Sequence, residues 1–329
     1  MLDANQDGSP VDGVDCAQDH TLLFDFPNRT QLRLTGDDRA KLLQNLCSND
    51  VSKLQPGQGC EAFLTNVKAR VLGHIFVYAA ADELWIDSAP GQEDALFEHL
   101  DRYVITEDVT IERMTESRGD LLLVGPQAES LLTQCDLMPA ELEIGHHATL
   151  SDEHHTQVRC TGWLKQPTFV ISSGTAGCAA IRGRLTEAGA NDGDPKVWDI
   201  LRIEALFPEF GRDITEDRLA PEVGRNDLAI SYTKGCYLGQ EPIARIKALG
   251  HVNRELRGLL IEGQYDELAD APILADGKEI GRVTSFVAVP GENRTVALGY
   301  LRMKWAGPGT TVEIGDQTQA IAAKVFANE

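Results

Sequence analysis

Apolar and polar positions alternate, then change period, at regular intervals along the chain. In "QLRLTGDDRAKLLQNL" Leu32 and Leu34 fall on one face of a strand, a turn follows at Gly36, Asp37 and Asp38, and Leu42, Leu43 and Leu46 take helical spacing. The two aspartates suit a helix N-terminus, where the backbone dipole favours negative charge. The segments "CEAFLTN", "RVLGHIFVYAA" and "ELWIDSA" read as three strands, with a turn at Ala81 and Asp82, and "GQEDALFEHLDRYV" reads as an amphipathic helix.

The pattern then returns. Leu121, Leu123, Gly125, Leu131 and Leu132 lie 89 positions after Leu32, Leu34, Gly36, Leu42 and Leu43. "TQVRCTGWLKQPTFVISS" reads as a hairpin and "AGCAAIRGRLTEAG" as a helix. Two strand–helix–strand–strand–helix units in tandem predict a duplicated α+β module with a ligand cleft between its halves. From about residue 256 the elements become short strands punctuated by Gly and Pro, in "LRGLLIEG", "APILADGKEIGRVTSF", "TVALGYLR" and "TTVEIGDQTQAIAAKVF". These predict a small barrel-like all-β domain.

At 329 residues the chain is long enough for two or three domains. The content of 42% hydrophobic and 25% charged residues is that of a soluble globular protein, and no apolar run approaches the length of a membrane span. A net charge of -21 argues against broad electrostatic binding of nucleic acid. Residues 1–28 hold six Asp and no Lys or Arg, so the charged start of a secretory signal is missing, and residues 1–20 are expected to be a disordered acidic N-terminus. Seven scattered cysteines without a CxxC pair fit reduced thiols and a cytoplasmic location.

The segment "YTKGCYLGQEPIARIKALGHVNREL", residues 232–256, holds the most specific chemistry. Lys234 stands two positions from Cys236, where a cation favours the thiolate, and Gly235 and Gly239 open conformations closed to other residues. Pro242 suits the first turn of a helix starting near Gln240 or Glu241. A thiol close to a helix N-terminus and a cation is reactive; an inert thiol packed in a tight turn is the plainer alternative. Residues 234–257 hold five basic and two acidic side chains, a local charge of +3 in an acidic protein. They form either an electropositive groove for an anionic tail or RNA phosphates, or a set of solvated side chains.

"KGCYLGQE" at 234–241, followed by "AR" at 244–245, closely resembles the signature of the YgfZ family of folate-binding proteins, relatives of the glycine-cleavage T-protein aminomethyltransferases. "TGDDRAKLLQNLCSNDVSKLQPGQ", "WDILRIEALFPEFGRDI" and "GRVTS" extend the resemblance over most of the chain. It implies an α+β fold in which duplicated ferredoxin-like halves form an aminomethyltransferase-type folate-binding domain, residues 21–250 with halves of about 21–115 and 116–250, followed by a C-terminal β-barrel at 251–329. It further implies a cytoplasmic protein that binds tetrahydrofolate or a derivative and supports assembly or repair of iron–sulfur client proteins, tRNA-modifying enzymes among them.

By the same resemblance Glu204 accepts the paired donors of a pterin, Trp198 stacks on its ring, and Arg245 reaches the carboxylates of the folate tail. Arg29 stands at a folate-contact position where the family often has an aromatic residue, a departure that leaves an arginine to pack on the ring or meet the glutamate tail. Cys236 is the functional thiol, with Lys234 beside it. Two further departures stand out. Leu206 replaces the Gly usual after "EA", which suggests a differently shaped turn, and neither Asp87 nor Asp94 matches the aspartate that the transferases use. The alternatives are a folate-dependent aminomethyltransferase and a folate-free docking scaffold. His146, His147, His154 and His155 lack ligand spacing with Cys or carboxylates, and no metal site is expected.

Overall fold

The computed structural model describes residues 19–138, 141–316 and 320–327; the N-terminal disorder expected for 1–20 therefore falls, for 1–18, outside the described residues. The chain opens with β1 (Leu22–Asp25), then builds a first half from β2 (Thr30–Thr35), α1 (Arg39–Leu46), β3 (Gly59–Thr65), β4 (Val71–Ala79), β5 (Glu83–Ser88), α2 (Glu93–Asp101) and β6 (Thr110–Arg113). A second half follows with β7 (Arg118–Val124), α3 (Ala128–Gln134), β8 (His147–Thr149), β9 (Gln157–Thr161), β10 (Thr168–Gly174), α4 (Thr175–Glu187) and β11 (Asn191–Asp192). The first sheet has the order β3-β4-β5-β2-β6 and the second the order β11-β1-β7-β10-β9-β8. Position for position, β8-β9-β10-β7 repeats β3-β4-β5-β2. The place that β6 fills beside β2 is filled beside β7 by β1, with β11 parallel on its outer side. The duplication expected from the leucine repeat is therefore real, and the chain's first strand crosses over to complete the second unit.

Both faces of each sheet are covered, and period-2 alternation sorts the side chains between them. In β7, Leu121 and Leu123 join the helix-side core with Leu132, Ile181 and Leu185. Leu122 and Val124 point the other way, into a core between the two sheets with Phe24, Phe76, Tyr78, Trp85 and Trp163. Leu32, Leu34, Leu43 and Leu96 build the matching helix-side core of the first half.

The link to the last domain is α5 (Pro195–Glu204). Asp194 caps it by accepting from the Lys196 N–H at 2.7 Å, with Pro195 in the first turn. Val197 and Leu201 enter the core between the sheets, while Ile200 and Ile203 pack on Leu256, Val296 and Tyr300 of the barrel. The turn after α5 keeps a left-handed backbone although Leu206 replaces glycine: φ is 54°. That conformation costs a non-glycine residue about 1 kcal/mol, which the packing of Leu206 on the barrel-side core offsets. The turn expected to differ thus has the shape a glycine would take. After α6 (Asn226–Ala229) and α7 (Gln240–Leu249), the chain closes a barrel from β12 (Arg254–Glu262), β13 (Pro272–Ala275), β14 (Lys278–Ala288), β15 (Arg294–Arg302), β16 (Thr311–Ile314) and β17 (Ile321–Phe326). No helix of the described residues is long and apolar enough to cross a membrane.

Candidate functional site

A cavity of about 260 Å³ opens where β3, β4 and the β9–β10 hairpin approach α6, lined among others by Glu61, Phe76, Tyr78, Trp163, Arg225 and Asp227. Its walls are aromatic. Trp163 stacks on Phe207 with centroids 5.0 Å apart and planes at 21°, and Phe76 lies 4.8 Å from Trp163. Behind Phe76 a smaller recess is bounded by Phe26, Arg29, His74, Trp198 and Phe207. Flat faces converging on an apolar slot suit a conjugated ring. The volume falls below the roughly 300–1,000 Å³ of pockets that enclose whole ligands, so the cavity takes a ring system and leaves a longer tail outside.

Two carboxylates line the cavity: Asp227, exposed at the α6 side, and Glu61, buried in the apolar wall. Glu61 Oε1 accepts from Arg225 Nε at 2.8 Å, Oε2 accepts from Arg225 Nη2 at 2.5 Å, and His74 Nε2 lies 2.7 Å from Oε1. Burial alone pushes the Glu61 carboxyl up; Arg225, then His74, outweigh it and hold it at about 2. At neutral pH this group is a fixed anion, unsuited to taking a proton.

Deeper between the sheets lies a second polar layer. Asp87 accepts from Arg29 Nε at 2.8 Å and from Arg159 Nη1 at 2.9 Å, and the Arg29 guanidinium sits 4.9 Å from the Phe26 ring and 5.0 Å from Trp163. Gln31 donates to Asp120 at 2.7 Å across 89 positions, the repeat offset itself, so these two are equivalent residues meeting between the halves. Arg118, the repeat counterpart of Arg29, donates to Ser172 and to Gln31 at 3.2 Å. Burial, then Asp87, pushes the Asp120 carboxyl up to about 6. The folded protein therefore binds a proton there that the unfolded chain has lost above its ordinary 3.8. This contribution to stability is complete below pH 4 and disappears as pH rises to about 6. Unfolding free energies measured by urea denaturation across that window are expected to fall for the wild type and to flatten for Asp120→Asn; an unchanged slope in the variant would refute the assignment.

The structure brings together only part of the residue set expected from the sequence. Trp198 and Arg29 share the inner recess, with Trp198 edge-on to Phe26 at 5.2 Å. Glu204 is half-buried at the end of α5, accepts from Arg294 of the barrel at 2.6 Å, and is not in the cavity lining. Arg245 is exposed on α7. Lys234 is buried and does not turn to Cys236: its ammonium donates to the carbonyls of Gln44, Cys47 and Asn49 at 2.6, 2.8 and 2.8 Å. Cys236 is exposed, the other described cysteines being buried or half-buried. Asp94 is exposed at the start of α2 and paired with Arg113; neither it nor Asp87 lines the cavity. His147 is buried, its Nε2 2.9 Å from the Ala79 carbonyl, and no group of three or more metal-ligating side chains forms among the described residues.

Glu61, Arg225 and Trp163 escaped sequence reasoning. The signal for Glu61 was available, because a carboxylate inside the apolar strand "CEAFLTN" needs a buried partner. The partner was not legible: Arg225 lies 164 positions away.

Residues 11–230 match the GCVT N-terminal domain, and residues 254–328 match the glycine cleavage T-protein C-terminal barrel domain. The chain is 27% identical to an aminomethyltransferase of Rippkaea orientalis, over 92% of this chain and 85% of that protein. It is 25% identical to a putative chloroplastic transferase of Arabidopsis thaliana, over 95% of this chain and 73% of that protein. The crystal structure of the glycine cleavage system aminomethyltransferase T from Bartonella henselae superposes with a TM-score of 0.85 at 22% identity, covering 95% of this chain and 87% of that one. A duplicated α+β domain and a closed six-stranded barrel, each matched by its own family description, have one conclusion: this chain belongs to the glycine cleavage T-protein family.

Proposed function

We propose that the protein is a tetrahydrofolate-binding accessory protein of the YgfZ type, which supports the assembly or repair of iron–sulfur enzymes, including tRNA-modifying ones. The observation that carries this reading is the aromatic cavity of Phe76, Tyr78 and Trp163 around a buried anion whose proton affinity is too low for base catalysis. The residues fit the bicyclic head of a folate by shape and ring faces, with Trp198 and Arg29 backing the inner recess. Glu204, paired with Arg294 outside the cavity lining, is not assigned to the ring, and the exposed Arg245 meets the tail carboxylates. Tetrahydrofolate supplies ring nitrogens that carry one-carbon units; the chain's own residues stack the ring, exclude water from it and leave its tail at the mouth. Cys236, exposed and outside the cavity lining, serves a partner protein rather than the bound ring.

A second reading, an aminomethyltransferase, is favoured by the 27% identity to such an enzyme over most of the chain. Titration calorimetry with tetrahydrofolate, on folded protein stripped of bound folate, tests the first. Binding is expected, and Trp163→Ala is expected to weaken it about tenfold, the ~1.4 kcal/mol of one aromatic contact. Absence of binding to the wild type rejects the proposal. Turnover of an aminomethylated lipoyl carrier would move the assignment to the transferase.

A further inference from the structure

The cavity and the Cys236 loop meet at one short segment, residues 45–49, that ends α1 and leads out of it. Asn49 Nδ2 donates to the Glu61 carbonyl at 2.8 Å, on the cavity floor, and to the Leu228 carbonyl at 2.8 Å, on the cavity wall. Next to it the Ser48 hydroxyl accepts from the Phe63 N–H at 2.7 Å and donates to the Ala229 carbonyl at 2.5 Å. Two side chains thus fasten β3 to α6, the two elements that contribute Glu61 and Asp227 to the cavity.

The same segment holds the loop carrying Cys236. The Ser231 N–H donates to the Ser48 carbonyl and the Leu238 N–H to the Asn45 carbonyl, both at 2.9 Å. The Leu238 carbonyl accepts from Thr65 at the end of β3 at 2.8 Å. Between these ties, Lys234 sends its ammonium into the C-terminal end of α1, where unpaired carbonyls and the helix dipole favour a cation. Gly239 closes the loop at φ 84°; a β-carbon there would press on the Asn66 carbonyl at 2.5 Å. Between Lys234 and Leu238, Cys236 is left exposed.

We infer that Asn49 and Lys234 are positioning residues that couple the Cys236 thiol to occupancy of the cavity. A ring seated against Glu61 and Asp227 fixes β3 relative to α6, and Asn49 passes that constraint to the carbonyl cage that grips Lys234. Lys234 acts by holding the loop and not by sharing charge with the thiol, since its three donors are taken by carbonyls. This rests on the cavity binding a folate.

The test is alkylation of Cys236 by iodoacetamide, followed by peptide mass spectrometry across a pH series, with and without saturating folinic acid. Occupancy is expected to slow wild-type alkylation about fivefold by restricting the loop. Asn49→Ala and Lys234→Met, checked for folding by circular dichroism, are expected to bind folinic acid within about twofold of wild type yet lose the difference in rate. The pH midpoint of alkylation is expected to stay in place in Lys234→Met. Lys234→Arg, which keeps a donor cation, is expected to restore the difference. Folinic acid that binds calorimetrically without changing the wild-type rate overturns the inference, as does a coupling intact in both variants or a pH midpoint that climbs in Lys234→Met. Failure of folinic acid to bind at all instead overturns the folate reading and, with it, this coupling.

Discussion

Arg225→Met is expected to destabilise the protein by about 3–5 kcal/mol, because it strands the Glu61 carboxylate in an apolar wall without its bidentate partner. Thermal unfolding should register a fall in Tm on the order of 10 °C. The acid limb supplies a second readout. Glu61 is held at about 2 in the folded protein against an ordinary 4.5. Its depressed affinity stabilises the fold fully above pH 4.5, and that contribution is lost as pH falls toward 2. In Arg225→Met the larger opposing charge is gone, so this part of the acid limb should shrink. The double variant Arg225→Met with Glu61→Gln is expected to recover part of the loss, since it removes the stranded charge. A single variant within about 1 kcal/mol of wild type would show that the pair does not hold the cavity together.

The second large effect lies at the joint between the α+β domain and the barrel. Arg202 is fully buried on α5 and donates to Asp213 at 2.8 Å, to Ser285 of β14 at 3.0 Å and to Asp199 at 2.6 Å, while Thr284 of β14 donates to Asp213. Asp213→Ala leaves a buried guanidinium without its fully buried carboxylate partner, with only the half-buried Asp199 remaining, and is expected to cost about 3–5 kcal/mol. The loss should concentrate at the joint, so hydrogen exchange is expected to speed up in β14 and α5 before the sheet cores respond. Uniform acceleration through both halves would instead mean that the barrel and the α+β domain unfold as one unit.

What was legible in the sequence followed from periodicity. The repeat at Leu32, Leu34, Leu42 and Leu43 marks elements whose apolar face is set by local spacing, and the same spacing at Leu121, Leu123, Leu131 and Leu132 rebuilds them. The barrel was legible because short Gly-punctuated strands have few other ways to bury one face. The site was only half legible. Trp198 and Arg29 line one recess, but the buried anion in the cavity is Glu61, whose partners are His74 from the neighbouring strand and Arg225 from far along the chain. Lys234 shows the same limit from the other side. Two positions from Cys236 in sequence, it points into the end of α1, because side-chain direction is decided by where free carbonyls lie.

The crossing of β1 into the second sheet gives the molecule a latch. Leu22 and Leu23 occupy the place beside β7 that a strand of the second half would otherwise fill, and β11 in turn leans on them. The dependence runs one way: the first sheet is whole within residues 30–113, while the second needs β1 from outside its own half. A gene split between residues 115 and 116 would yield one fragment with an orphan strand and another with an open edge, so the ancestral single unit is not recoverable by simple scission.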